Sequence, residues 1–159
     1  MKILVMSDTH GEINSVVQHI KNIEKFSMLL HLGDYVEDAE KIKQLLNIPA
    51  VIIRGNGDFQ RADYNYDEIL EINGKRIFLT HGHRYNVKYG ITNLYYRALE
   101  LSADVVLFGH THIPIVERVA DMLIMNPGSP TYPRGFNRKS TIGILDIGSD
   151  VEGKLVEVK

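Results

Sequence analysis

Five short segments concentrate the residue types that bind metal ions and move protons: Asp8-Thr9-His10, Gly33-Asp34, Gly55-Asn56, His81-Gly82-His83 and Gly109-His110-Thr111-His112. In the last, two imidazoles sit one residue apart, and alternate side chains of an extended segment point the same way. The pooled donors are aspartate, asparagine and histidine, and the chain contains no cysteine, so thiolate sites and disulfides are excluded. One ion rarely needs so many donors. Two ions about 3.5–4 Å apart that share a carboxylate would use them well. Mixed oxygen and nitrogen donors suit Mn²⁺, Fe²⁺, Co²⁺, Ni²⁺ or Zn²⁺ better than Ca²⁺.

Such a centre forms only if distant segments meet, so the elements between them matter. Each donor segment follows a short apolar run that reads as a buried strand: residues 2–7, 28–32, 50–54, 76–80 and 104–108. Residues 13–26 have helical spacing through Ile13, Val16, Val17, Ile20 and Ile23, with Asn14 as a plausible cap; residues 37–47 repeat the pattern through Ala39, Ile42, Leu45 and Leu46. The order β-α-β-α-β favours parallel pairing. The second half changes character. Asn73-Gly74-Lys75 marks a hairpin, residues 90–102 have helical spacing, and apolar runs at 113–119, 122–126, 140–147 and 154–159 read as further strands. No linker, repeat or low-complexity tract interrupts the chain, which predicts one domain over 1–159. In α/β sheets, sites form beyond the carboxyl ends of the strands, where these donors lie. Gly33, Gly55, Gly82 and Gly109 would let the backbone turn beside a crowded centre.

The 159 residues are 44% apolar and 24% charged, with net charge −2, so no basic footprint argues for nucleic-acid binding. The N-terminal apolar run is too short for a signal peptide and no stretch approaches a membrane span, which predicts a cytoplasmic protein.

Taken in order, DTH, GD, GN, HGH and GHTH resemble the calcineurin-like metallophosphoesterases, and more closely the small bacterial and archaeal phosphodiesterases of the YfcE type. NPGSPTYPRG (126–135) also looks like a segment of that subfamily. The resemblance implies a four-layer α/β/β/α sandwich of two mixed sheets flanked by helices. It also implies that Asp8, His10, Asp34 and His112 hold a first ion and that Asp34, Asn56, His81 and His110 hold a second, with Asp34 as the bridge. Mn²⁺ is the common metal of the family. The implied chemistry is hydrolysis of small phosphodiesters or nucleotides through a metal-bridging hydroxide, with Asp34, Asn56, His81 and His110 at its heart. Charge supports this: two divalent ions against Asp8 and Asp34 leave a centre that still attracts a phosphodiester monoanion.

One departure stands out. Many phosphatases of the superfamily place a histidine, a candidate general acid, directly after the asparagine. Here Gly57 occupies that place, which predicts diesters over monoesters and a preference for good leaving groups. The rivals are a phosphomonoesterase with the same metals and a non-catalytic scaffold module like a eukaryotic retromer subunit, whose kind shows degraded ligand motifs. His83, Asp58 and Arg84 read as supporting or substrate-facing residues, and Arg134 as a second candidate phosphate contact. His31 reads as packed and His19 as a surface residue. Tyr85, Tyr89, Tyr95 and Tyr96 read as core or dimer contacts more than as a base-binding face. Relatives form dimers or tetramers, and the same is expected here.

Overall fold

The computed structural model describes residues 1–158. Strands β1 (Lys2–Met6), β2 (Met28–His31) and β3 (Ala50–Ile52) are parallel neighbours, connected through helices α1 (Ile13–Ile23) and α2 (Val36–Leu46). The strands β9 (Thr141–Ile147) and β10 (Val151–Glu157) return from the far end of the chain and complete this sheet on the other side of β1, antiparallel, in the order β10-β9-β1-β2-β3. A second sheet, ordered β4-β5-β6-β8-β7, is built from β4 (Asp67–Ile72), β5 (Lys75–Thr80), β6 (Val105–Leu107), β7 (Ile115–Val119) and β8 (Met122–Asn126), with a parallel centre and antiparallel edges. Helix α3 (Thr92–Glu100) connects β5 to β6.

Alternation along the strands stacks these layers. Ile3 and Val5 of β1, with Leu30, Leu32 and Ile53, face Ile77, Leu79, Val105, Leu107, Leu123 and Met125 of the other sheet. The intervening residues point outward. Leu4, Met6 and Leu29 pack under α1 and α2 through Ile13, Val17, Ile20 and Ile42, and Phe78, Val106 and Ile124 pack under Leu94 and Ala98 of α3. Strands covered on both faces read as unbroken apolar runs, as these do. The result is the expected helix–sheet–sheet–helix sandwich.

Several boundaries differ from the sequence pattern. Helix α1 starts at Ile13, so Asn14 lies inside it, and it stops before Phe26, which is buried against Leu4 and Leu29's layer. Helix α3 is shorter than 90–102 because Gly90 (φ 135°) and Ser102 (φ 51°) leave the helical backbone on either side of it; residues 83–89, before it, form two 3-10 turns. Strand β10 starts at Val151, earlier than the apolar run, because pairing with Ile147 extends back to the turn; Lys159 of that run lies outside the described residues. The hairpin between β4 and β5 turns on Asn73 and Gly74, both left-handed (φ 51° and 75°), as a type I′ turn requires.

Candidate metal centre

The parallel strands of both sheets deliver the donor segments to one edge. Asp8 and His10 follow β1, Asp34 follows β2, Asn56 follows β3, His81 follows β5, and His110 and His112 follow β6. The backbone there is unusual. Asp8, His10, Asp34, His110 and His112 all have positive φ, between 48° and 68°. Outside glycine such conformations cost on the order of 1–3 kcal/mol each, and persist only where surrounding contacts hold them. Space is equally constrained: a Cβ on Gly109 would lie 2.0 Å from Ser7 Oγ, and one on Gly55 would lie 2.1 Å from Asp34 Oδ1. These loops are wound tightly around the carboxylates.

The contacts fix which atoms are left to bind. The Ser7 hydroxyl (2.6 Å) and the His110 amide (3.0 Å) both donate to Asp8 Oδ2, which leaves Oδ1 inward. His81 Nδ1 lies 2.7 Å from the Leu32 carbonyl and His112 Nδ1 lies 2.7 Å from the Tyr132 carbonyl. A carbonyl only accepts, so each Nδ1 carries the proton and each Nε2 presents a lone pair when the ring is neutral. His112 Nε2 is 3.1 Å from Asp8 Oδ1 and 3.4 Å from His10 Nε2. His81 Nε2 is 3.5 Å from Asp34 Oδ1 and 3.9 Å from Asp8 Oδ1. Lone pairs this close need a proton or a cation between them. Among the described residues Asp8 Oδ1 and His81 Nε2 are buried without any hydrogen-bond partner, the condition a metal ion would relieve.

Two overlapping donor trios result, Asp8–His10–His112 and Asp8–Asp34–His81, each with its donor atoms within 4.8 Å of one another. Asp8 is common to both, and Asp34 belongs to the second. The His110 ring lies 5.1 Å from that of His81, beside the second trio. Asn56 is exposed at the start of a 3-10 turn whose next amide, Gly57, donates to Asp34 Oδ1 at 2.8 Å. His83 lies beside His81 and His110, at ring distances of 5.5 and 6.0 Å, and belongs to neither trio.

Electrostatics prepares these groups for a cation. Burial alone would raise Asp34, but His81, 3.5 Å away, and the Gly57 amide hold it well below the usual carboxylate range. Asp8 is likewise lowered: burial pushes it up, and His112, His81 and Ser7 outweigh that. Burial, then neighbouring His112, lowers His10, while burial and His81 lower His110 to about 4. His81 goes the other way: burial pushes it down, but Asp34 and Asp8 outweigh that and raise it, so a divalent ion taking its place between the two carboxylates would have to displace its second proton.

Residues outside the donor set hold it in place. Asp58 accepts the amides of Tyr35 (2.8 Å) and Val36 (3.0 Å) at the start of α2 and that of Gly55 (2.8 Å), so one carboxylate ties both loops that flank Asp34. Arg84 instead lies exposed, 3.6 Å from Asp67. His31 is fully buried. The Gly33 amide donates to its Nδ1, so its Nε2 carries the proton facing Thr9 Oγ1, consistent with burial pushing this imidazole down to about 4. Segment 126–135 does more than its composition reveals. Ser129 Oγ donates to the Asp8 carbonyl at 2.7 Å, Thr131 Oγ1 donates to the Thr9 carbonyl at 2.5 Å, and Asn126 Nδ2 donates to the Gly109 carbonyl at 2.9 Å. These hydroxyl and amide anchors carried no spacing signal; only the strained loops they secure mark them.

A carboxylate–imidazole centre at the carboxyl edge of two facing sheets defines a metallohydrolase scaffold. The chain belongs to the calcineurin-like phosphoesterase superfamily: the model of that superfamily's domain matches residues 1–150. It is 34% identical over 153 residues to the probable metallophosphoesterase YsnB of Bacillus subtilis, spanning 94% of this chain and 86% of that one. It is 36% identical to the phosphodiesterase MJ0936 of Methanocaldococcus jannaschii, spanning 92% of this chain and 93% of that one. Among solved structures, a predicted phosphoesterase of Streptococcus pneumoniae superposes with a TM-score of 0.82 at 28% identity, over 98% of this chain and 88% of that one. The family expected from the five donor segments is the family found. No helix among the described residues is long and apolar enough to cross a membrane.

Proposed function

We propose that this protein is a metal-dependent phosphodiesterase acting on small phosphodiesters at a dinuclear centre. Asp8, His10, Asp34 and His112 would hold the first ion, and Asp34, Asn56, His81 and His110 the second, with Mn²⁺ as the working metal. One observation carries the reading: Asp8 Oδ1 and His81 Nε2 are buried, without a hydrogen-bond partner among the described residues, and aimed into the same space as Asp34. Asp34 suits the bridge because it contacts His81 and also acts electrostatically on His10. Bound there, two ions would polarise the phosphoryl group and acidify a shared water.

The chain's own residues do the rest. The carbonyls of Leu32 and Tyr132 keep the imidazoles in the binding tautomer. Ser7 and the His110 amide hold Asp8 with one oxygen free. Hydrolysis adds a water oxygen to phosphorus, breaks one ester P–O bond and leaves the departing oxygen in need of a proton. Gly57 cannot provide it, and its position leaves little room for a residue that could: a Cβ there would lie 3.0 Å from Asp34 Oδ1. Esters whose leaving oxygen is already a weak base are therefore favoured.

The test is a substrate panel on chelator-stripped protein with each candidate metal added back. Bis-aryl phosphate should be hydrolysed faster than mono-aryl phosphate, and dialkyl phosphodiesters slowest. Monoester turnover exceeding diester turnover would establish the phosphomonoesterase reading instead, and metal binding without turnover of any ester would establish a scaffold.

A further inference from the structure

Aromatic rings and arginines outside the donor set gather on both flanks of the candidate centre, exposed on the first and half-buried at Tyr66 and Arg54 on the second. On the His10–His112 side, the Tyr35 ring lies 4.7 Å from that of His10, and the Tyr132 ring lies 5.6 Å from His10 and 5.9 Å from His112. Both rings are substantially exposed, at 44% for Tyr35 and 59% for Tyr132. Both backbones are nevertheless held, Tyr35 by Asp58 and Tyr132 by Ser129 and His112. An exposed ring on a fixed backbone loses little entropy when something stacks on it. The Arg134 guanidinium lies 5.7 Å from the Tyr132 ring centre, and beyond it a groove of about 410 Å³ runs between Ile113 and the fully exposed Phe136.

The His81–His110 side has a matching group. His83 meets Tyr66 edge-on at 5.4 Å. The Arg54 guanidinium sits 4.0 Å from the centre of the Tyr66 ring, and that of Arg84 sits 5.3 Å from it. Among the described residues Arg54 Nε is buried without a hydrogen-bond partner, and Arg84 pairs with Asp67 at 3.6 Å. Two cations share one ring, and Asp67, which pairs with Arg84, also accepts the Tyr85 hydroxyl.

We propose that these two groups are stations for the two ester arms of the substrate, and that the substrate class is a phosphodiester joining two nucleosides. This rests on the phosphodiesterase reading and adds the identity of the arms. Nucleobases stack on aromatic side chains with little regard to sequence, and guanidiniums beside the rings add attraction for the bases and for any terminal phosphate. A diester has an arm for each flank, whereas a monoester fills one station and leaves the other empty.

The test compares kcat/KM for a dinucleoside phosphodiester with that for a methyl aryl phosphodiester, which lacks the second flat arm. Tyr132→Ala, Tyr66→Leu and Arg84→Gln should each lower the ratio about tenfold, mainly through KM, as expected for losing one stacked base. Tyr96→Ala, an exposed tyrosine on α3, should leave the ratio unchanged. Because Tyr66 is half-buried and its loss can impair folding, Arg84→Gln on an exposed side chain carries the test for that station. Independently, metal-stripped protein titrated with a dinucleoside phosphorothioate should show ring-proton NMR shifts at Tyr66 and Tyr132 together. Unchanged ratios in folded variants, or shifts at neither tyrosine, would overturn the stations. Failure of every diester to turn over with any metal would defeat the phosphodiesterase reading instead, and the titration would still decide the stations.

Discussion

An aspartate that is buried, strained and half-satisfied is costly unless something binds it. Asp8 and Asp34 both combine positive φ with burial, and both lie beside imidazoles whose free nitrogens face them. Asp34→Asn keeps the shape but removes charge from the proposed bridge. Metal affinity should fall by more than about 100-fold, beyond the loss typical of a supporting residue, and most activity should go with it. His83→Ala should instead retain nearly full metal content, because its ring belongs to neither donor trio. Elemental analysis after dialysis against trace metal separates the two, and equal metal loss from both would refute the division between His81 and His83. These residues were legible because their types are rare together and recur at strand ends. Ser129 and Tyr132 were not, because a hydroxyl on a backbone carbonyl or a ring beside an imidazole leaves no periodic trace in sequence.

The elements show the same division. Alternating apolar residues are read directly from strands whose two faces are both buried, so Ile3 and Val5 face one layer while Leu4 and Met6 face another. Helix ends are set by long-range partners. The amides at the start of α2 find Asp58 from the loop after β3, not a cap in the preceding residues, and a cap at Asn14 was expected where none forms. Irregular segments matter most at this scale. Ser129→Ala would leave the Asp8 carbonyl and the Tyr132 amide unpaired, at a cost of about 1–3 kcal/mol, seen as a lower denaturation midpoint. Occupancy of the Asp8–His10–His112 trio should weaken as well, since Tyr132 also sets the His112 tautomer. His31, wedged between the loops after β1 and β2, makes a prediction about acid. Its imidazole is held at about 4 in the fold against an ordinary 6.5, so the unfolded chain binds the extra proton first. The contribution to stability is therefore complete above pH 6.5 and is lost as pH falls toward 4. Urea unfolding at pH 7 and at pH 5 should differ less for His31→Gln than for the parent protein. An equal difference would mean that other groups carry the acid sensitivity.

Across the whole molecule, the two sheets meet at an apolar core but converge at one edge on carboxylates, imidazoles and left-handed backbone. The core opposes separation of the sheets. The edge, without a cation, concentrates facing lone pairs and strain contributed from both. Ions bound at the two trios would together connect β1 and β2 of one sheet to β5 and β6 of the other through Asp8, Asp34, His81 and His112, and so stabilise the fold as a whole, not one loop. At free metal about 100 times the dissociation constant, linkage adds about 2.7 kcal/mol for one site, or roughly 5–10 °C in midpoint for a chain of this size. Scanning calorimetry on chelator-stripped protein should thus show a lower midpoint that climbs with the logarithm of added Mn²⁺, and Asp8→Asn should flatten that climb because its carboxylate is common to both trios. A midpoint indifferent to chelator and metal would show that the two sheets hold together without an ion between them, and that this edge is not a metal centre.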